Sequence, residues 1–401
     1  MKFKEADRLA KLPTYVFALL DKLKAKERAK GKDLIDLTIG SPSHLPPKEV
    51  IEAHIKALED PKNHKYSSFE GDPLFIDAVC QWCKQQYNIN IHKDEVVTLV
   101  GSKEGLAHFY LAFLNPGDTL LVPLPMYPSH FRGPVLAGAE PVILPTVEKN
   151  GFLPELDIID KSIADKAKVL ALSYPTNPTA ATAPREFFEK AVRFAKKHDL
   201  ILVHDFAYAE LYFSAEGGSA SGGDGKKPIS CLSIPGAKDV CIEFHSLSKT
   251  FGMAGWRLGF AVGNKELIHS LKSIKTNLDY GPFGATVKAG TVALKTKDSY
   301  LKNMRESYQR KRDIAVDGLN SLGWKLKKPQ ATFYLWVPVP SGFNAMSFVE
   351  HLMQKAEVAV SPGIGFGDLG EGYVRFALVE SDEKIKEAIN RMKKAGIKYN
   401  G

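Results

Sequence analysis

Phe244-His-Ser-Leu-Ser-Lys-Thr-Phe-Gly-Met-Ala-Gly-Trp-Arg-Leu-Gly-Phe260 lies between two short apolar runs, residues 240–244 and 259–262. One strand runs into this stretch and another leaves it. Its polar residues therefore sit at the end of a sheet, where α/β folds gather their ligands. Lys249 follows Ser246 and Ser248, and Arg257 stands between Gly255 and Gly259. A lysine amine condenses with an aldehyde to give an imine. Hydroxyls and a guanidinium donate to a phosphate dianion, the guanidinium through two parallel bonds. Gly252, Gly255 and Gly259 let backbone come close to a ligand. Alone, Ser-x-Ser-Lys is an ordinary polar turn, so the string gains weight only if the rest of a site exists elsewhere in the chain.

Outward from this stretch the pattern is β–α alternation. Further apolar runs occur at 96–100, 119–122, 142–144, 168–172 and 200–203, with helical segments between most of them. Seven such strands predict an α/β fold, a mostly parallel sheet covered by helices on both faces in three layers. After about residue 285 the character changes. A polar helical stretch over 286–320 precedes strands at 333–337 and 373–376, a smaller α+β unit. Upstream, 17–30 has helical spacing and ends before Gly31, and 34–37 reads as a short strand. Pro46 and Pro47 introduce a helix over 48–58. The predicted division is a large domain over 45–285, with 1–44 and 286–401 forming an N-terminal arm plus small domain. The Gly/Ser-rich segment 214–225 reads as a surface loop, because alternation resumes after it.

Five companions to Lys249 follow from the same map. In Leu200-Ile-Leu-Val-His-Asp-Phe-Ala-Tyr208 a strand ends on Asp205, which then points into the ligand crevice. A carboxylate there pairs with a protonated pyridine nitrogen, and Tyr208 reaches the oxygen on the same ring. Asn177, in Ser173-Tyr-Pro-Thr-Asn-Pro-Thr179, can donate to that oxygen. Val100-Gly-Ser-Lys-Glu-Gly-Leu106 passes from strand to helix. The amides after Gly101, those of Ser102 and Lys103, suit a phosphate. Tyr127, in Pro123-Leu-Pro-Met-Tyr-Pro128, offers a ring to stack on the pyridine. Arg375, mid-strand in Gly372-Tyr-Val-Arg-Phe-Ala-Leu378, is a charge among apolar neighbours, costly unless paired. A substrate α-carboxylate is its natural bidentate partner, with an internal salt bridge as the alternative. An aldehyde, a phosphate and a pyridine nitrogen together describe pyridoxal 5′-phosphate (PLP), which is the expected cofactor.

The bulk numbers set limits. The chain has 401 residues, 44% hydrophobic and 25% charged, ordinary for a globular protein of more than one lobe. The net charge of +8 is spread along the sequence and reads as a lysine-rich surface, with no nucleic acid expected. The 30-odd residues before the first strand are too few for a winged helix-turn-helix module. Cys80 and Cys83 form a CxxC, but it falls inside a helix and no second ligand pair completes a metal site, so no metal is expected. Four cysteines, no leader and no bilayer-length apolar run predict a cytoplasmic protein without membrane contact.

With these residues assembled, the chain resembles the class I/II PLP-dependent aminotransferases of fold type I, over nearly its whole length. The Ser-Leu-Ser-Lys-Thr-Phe-Gly-Met-Ala-Gly-Trp-Arg string at 246–257 carries the resemblance, with Asn177, Asp205, Tyr208 and Arg375 in order. The wording is similar to two branches, bacterial alanine (glutamate–pyruvate) transaminases and LL-diaminopimelate aminotransferases. Asp279-Tyr-Gly-Pro-Phe283 and Val360-Ser-Pro-Gly-Ile-Gly-Phe-Gly-Asp-Leu-Gly370 lean toward the alanine branch. The expected reaction is therefore ping-pong transfer between alanine/glutamate and pyruvate/2-oxoglutarate. LL-diaminopimelate or aspartate donors are the alternative, and a PLP-dependent β-lyase a further one. The 214–225 segment, Leu124 and Met126, and Ser41-Pro-Ser-His44 depart from the alanine branch and leave the side-chain preference open. The resemblance also implies a homodimer with shared sites. Tyr66 matches a tyrosine that reaches the neighbouring subunit's phosphate, and Tyr15 and Tyr280 match residues lining the partner's site. Gly40 matches the glycine near the substrate carboxylate.

Overall fold

The computed structural model describes residues 3–12, 15–213 and 227–400. The predicted loop at 214–225 lies outside them. The strands are β1 (Ile35–Leu37), β2 (Val96–Leu99), β3 (Thr119–Leu124), β4 (Glu140–Pro145), β5 (Ala167–Ser173), β6 (Ile201–Asp205), β7 (Cys241–Ser246), β8 (Gly259–Gly263), β9 (Tyr334–Pro338), β10 (Val358–Pro362) and β11 (Tyr373–Ala377).

All seven predicted strands of the large sheet form, in the order β2-β8-β7-β6-β5-β3-β4. Pairing is parallel except around β8, which runs antiparallel to both β2 and β7. Their apolar runs are continuous rather than alternating because both faces are covered. On one face Val203, Ile242 and Phe244 pack with Leu106, Phe109, Ile268 and Leu271 from helices Ser102–Phe113 and Lys265–Leu278. On the other, Leu170 and Leu202 meet Phe188 and Val192 of helix Arg185–Lys197. Each fully buried side chain of this size contributes about 1.5–3 kcal/mol.

The second sheet has the order β1-β10-β11-β9. β1 pairs parallel with β10, so the N-terminal segment is built into the C-terminal sheet. Two sequence expectations need correction. Residues 286–320 are not one helix: Gly284–Ala293 and Asp298–Ser321 are separated by a break at residues 294–297. And β10 was not foreseen, because Val358–Pro362 is short and runs into Gly363.

Cys80 and Cys83 lie in helix Pro73–Tyr87, and all four cysteines are free. Burial pushes both thiols up, away from the reactive thiolate. Among the described residues no helix is long and apolar enough to cross a membrane.

Candidate active site

β5, β6 and β7 end side by side, with Ser173 opposite Asp205 and Asp205 opposite Phe244. Their C-terminal ends open into a cavity of about 370 Å³, closed on the far side by the small sheet and the segment after β1. Of the residues expected from sequence, Tyr15, Gly40, Ser102, Lys103, Tyr127, Asn177, Asp205, Tyr208, Ser246, Ser248, Lys249, Arg257 and Arg375 all line it. Gly101 and Tyr66 do not. Gly101 stands just behind the wall. Tyr66 is 83% exposed and lines a separate cavity of about 300 Å³ with Tyr280.

One end of the cavity is made of backbone. Helix Ser102–Phe113 starts after Gly101, whose φ of +78° is one that residues with a Cβ rarely adopt. A Cβ on Gly101 would stand 2.3 Å from Nη2 of Arg257, and one on Gly259 would stand 3.0 Å from the Ser102 nitrogen. These two glycines let the helix start and the guanidinium converge. Arg257 is steadied by the Ala254 carbonyl at 2.9 Å and the Ser248 hydroxyl at 3.5 Å. The Ser246 hydroxyl accepts from the Ser248 amide at 3.3 Å, so its own hydrogen is left to donate. Free amides, two hydroxyls and a guanidinium aimed at one point fit a phosphate dianion.

Lys249 lies in the middle of the cavity. Its Nζ donates to the Gly40 carbonyl at 2.5 Å. Burial first, then the neighbouring Arg375 and Arg257 charges, lowers this amine to about 8, with Asp205 pulling the other way. A lysine that sheds its proton near neutrality is the nucleophile an aldehyde needs. Asp205 ends β6, nearly buried, with Oδ1 accepting from the Ala207 amide at 3.2 Å and Oδ2 facing His130 Nε2 at 3.2 Å. The Tyr208 hydroxyl meets that of Tyr334 at 2.8 Å, and burial pushes the Tyr208 phenol well up. Burial also raises Tyr127, which lines the cavity beside Asp205.

Arg375 decides between the two sequence alternatives. It is 4% exposed, and its Nη1 donates to Asn177 Oδ1 at 2.7 Å. Nη2 donates to the Thr38 carbonyl and, at 3.3 Å, to the Ser361 hydroxyl. None of these partners carries a charge, and buried Nε has no partner. The guanidinium is sandwiched between the rings of Tyr334 and Phe366, 4.3 and 4.7 Å from their centroids. A buried cation without an anion among the described residues, opening on a cavity, is not half of a structural salt bridge, and its free positions fit a carboxylate. Gly40 completes the wall, since a Cβ there would meet the Tyr334 hydroxyl at 1.8 Å.

The residues therefore fit PLP: a phosphate cradle at one end, a nucleophilic amine in the middle, and a carboxylate placed for the ring nitrogen. A sequence profile described as aminotransferase class I and II matches residues 32–392. The chain belongs to this family. It is a PLP-dependent aminotransferase of fold type I. It is similar to LL-diaminopimelate aminotransferase of Aquifex aeolicus, 45% identical over 98% of this chain and 99% of that one. The enzyme of the same name from Maridesulfovibrio salexigens is 46% identical over 98% and 99%. Among solved structures, substrate-bound BacF from Bacillus subtilis superposes with a TM-score of 0.93 at 35% identity, covering 100% of both chains.

One correction follows for this aminotransferase. The similar enzymes carry the name of the LL-diaminopimelate branch, not of the alanine branch toward which 279–283 and 360–370 leaned. Just beyond Gly40, Ser43 and His44 bond the Tyr308 hydroxyl, at 2.9 and 3.1 Å. Sequence reasoning also missed Thr38, Tyr334, Phe366 and His130. Tyr334 and Phe366 lie in runs that read only as strand and loop. His130 had one faint signal, its place three residues after Tyr127.

Proposed function

We propose that this aminotransferase moves the α-amino group of LL-diaminopimelate to 2-oxoglutarate by a ping-pong route. The observation that carries this reading is the near full-length identity of about 45% to enzymes of that name. It is joined to a cavity in which a buried guanidinium, Arg375, has no anion of its own among the described residues.

When bound, PLP supplies an electron sink for the substrate α-carbon. The chain supplies the rest. Arg375 grips the α-carboxylate with the hydrogen-bonding positions its protein partners leave open. Asn177 and the two flanking rings hold the guanidinium so that it does not reorganise. Lys249 would take the proton from the substrate α-carbon and return it two bonds away, on the far side of the amino nitrogen, a transfer suited to an amine that titrates at about 8. Asp205 would keep the ring nitrogen positive. Tyr208 and the Asn177 amide would serve the ring oxygen. The cradle formed by Ser102, Lys103, Ser246, Ser248 and Arg257 would hold the phosphate. We further assign a homodimer to the enzyme, with Tyr66 serving the partner's site, while Tyr15, expected there too, lines the cavity of its own chain. Support comes from the exposed aromatic group of Tyr66, Phe69 and Tyr280.

A panel of LL-diaminopimelate, L-aspartate, L-glutamate and L-alanine against 2-oxoglutarate and pyruvate tests the donor. The expected result is a kcat/KM for LL-diaminopimelate at least about tenfold above that for alanine. An enzyme that prefers alanine belongs functionally to the other branch.

A further inference from the structure

Asp205 is held from behind. Its Oδ2 lies 3.2 Å from Nε2 of His130, and Nδ1 of the same ring lies 3.1 Å from the Tyr110 hydroxyl. Tyr110 and His130 are both 0% exposed. Tyr110 sits on helix Ser102–Phe113, the helix whose start forms the phosphate cradle, and His130 on helix Ser129–Leu136. Gly133, one turn after His130, makes room for the phenol: a Cβ there would stand 2.8 Å from Cδ2 of Tyr110. The row Tyr110–His130–Asp205 is thus seated by packing at each step and leads to the place of the cofactor nitrogen.

The placement of hydrogens decides what the row does. Among the described residues the Tyr110 hydroxyl has no other hydrogen-bond partner than His130 Nδ1. Burial pushes this phenol far up, so it keeps its hydrogen at any working pH. A buried hydroxyl that donates to nothing loses its solvation without compensation. Donation to Nδ1 makes that nitrogen an acceptor, so the single imidazole hydrogen sits on Nε2 and points at Asp205. The opposite tautomer would set a nitrogen lone pair against a carboxylate. An imidazolium would strand the phenol hydrogen and cancel the charge of Asp205. Only the neutral Nε2–H form satisfies every group, and it orients the carboxylate without neutralising it.

We propose that Tyr110 is a positioning residue for the cofactor: its hydroxyl fixes the Nε2–H form of His130, which holds the Asp205 carboxylate aimed at the place of the PLP ring nitrogen. The proposal holds for any amino donor and so stands apart from the LL-diaminopimelate assignment. Tyr110→Phe keeps the shape and removes the hydroxyl. PLP affinity of the apoprotein should weaken about tenfold. kcat should fall by a similar factor, with KM for an active amino donor changed less than about twofold. A second measurement reads the unmodified protein and does not depend on Tyr110→Phe. In ¹⁵N-histidine spectra of the unmodified apoprotein, His130, assigned by loss of its signal in His130→Asn, should show a bare Nδ1 and a protonated Nε2. Protonation at Nδ1 in that spectrum overturns the proposal. So does a folded Tyr110→Phe whose PLP affinity and kcat match the unmodified enzyme.

Discussion

At Arg375 the fold buries a cation and gives it only neutral oxygens. If its missing partner arrives with the substrate, as proposed, such a group should weaken the free protein and strengthen the complex. Arg375→Leu is therefore expected to raise KM for amino donors roughly 100-fold or more, the loss of two charge-assisted bonds. Chemical denaturation of the apoprotein should show unchanged or increased stability. A large loss of apoprotein stability would mean that the arginine is structural. Lys249 gives a pH test. Its amine titrates at about 8 in the fold against 10.5 for an ordinary lysine. Only the free amine attacks an aldehyde, so PLP loading should accelerate as pH rises and level off above about 8, followed by absorbance after rapid mixing. Between about 8 and 10.5 the unfolded chain binds more protons than the folded one, so apoprotein stability should also rise with pH there. A loading rate that stays flat as pH rises toward about 8 refutes the assignment. Lys249, Asp205, Asn177 and Arg375 were legible in the sequence because each stands in a short string with its strand or turn. Tyr334, Phe366 and His130 were not. Tyr334 and Phe366 earn their roles by meeting Arg375 across the fold, and no local pattern records such a meeting.

β7, the strand that leads to Lys249, also carries a buried polar cluster on the face away from the cavity. Glu243 of β7 accepts from His204 of β6 at 2.8 Å and from His245 at 2.9 Å. It accepts as well from the Ser230 hydroxyl at 2.8 Å and the Cys231 amide at 2.9 Å. Successive side chains on a strand face opposite ways, so this cluster backs the face that presents Asp205 and Ser246. Burial alone would raise the carboxyl, but the His204 and His245 hydrogen bonds hold it at about 2. Its contribution is present above the ordinary carboxylate range and is lost as pH falls toward that value. Glu243→Leu leaves two histidines, a hydroxyl and an amide without their acceptor. It should cost about 3–5 kcal/mol of unfolding free energy, read from urea denaturation of the apoprotein. A change under about 1 kcal/mol would show that the cluster is dispensable. Elements of this kind were read with uneven success. The strands of the large sheet were legible because both their faces are apolar and their runs are bounded. The break at 294–297 and strand β10 were not, since a polar helix tolerates a short interruption and Val358–Pro362 is too brief to show a period.

At the scale of the whole molecule, one surface is unlike the rest. Tyr66 and Tyr280 stack at 4.4 Å with 29° between their planes, and Phe69 lies 5.3 Å from Tyr280. All three are exposed, at 83, 52 and 49%. Contiguous aromatic surface of this kind marks an interaction face. Tyr15, 48% exposed, lies at the Lys249 cavity, while Tyr66 does not reach it. A second copy that brings its Tyr66 hydroxyl to the phosphate cradle would account for both. Sedimentation equilibrium should then give twice the chain mass, and Tyr66→Phe should weaken PLP binding about tenfold through loss of one charge-assisted bond. The decisive measurement mixes two variants. Lys249→Ala cannot turn over, and Tyr66→Phe works poorly at limiting PLP. If Tyr66 acts within its own chain, mixing the two leaves activity at the sum of the separate samples. If it acts across the interface, each mixed dimer has one site with an intact Lys249 from one chain and an intact Tyr66 from the other. Activity at limiting PLP should then climb above that sum as subunits exchange. A mixture that stays additive after exchange is verified by mass would show that Tyr66 does not serve the partner's site.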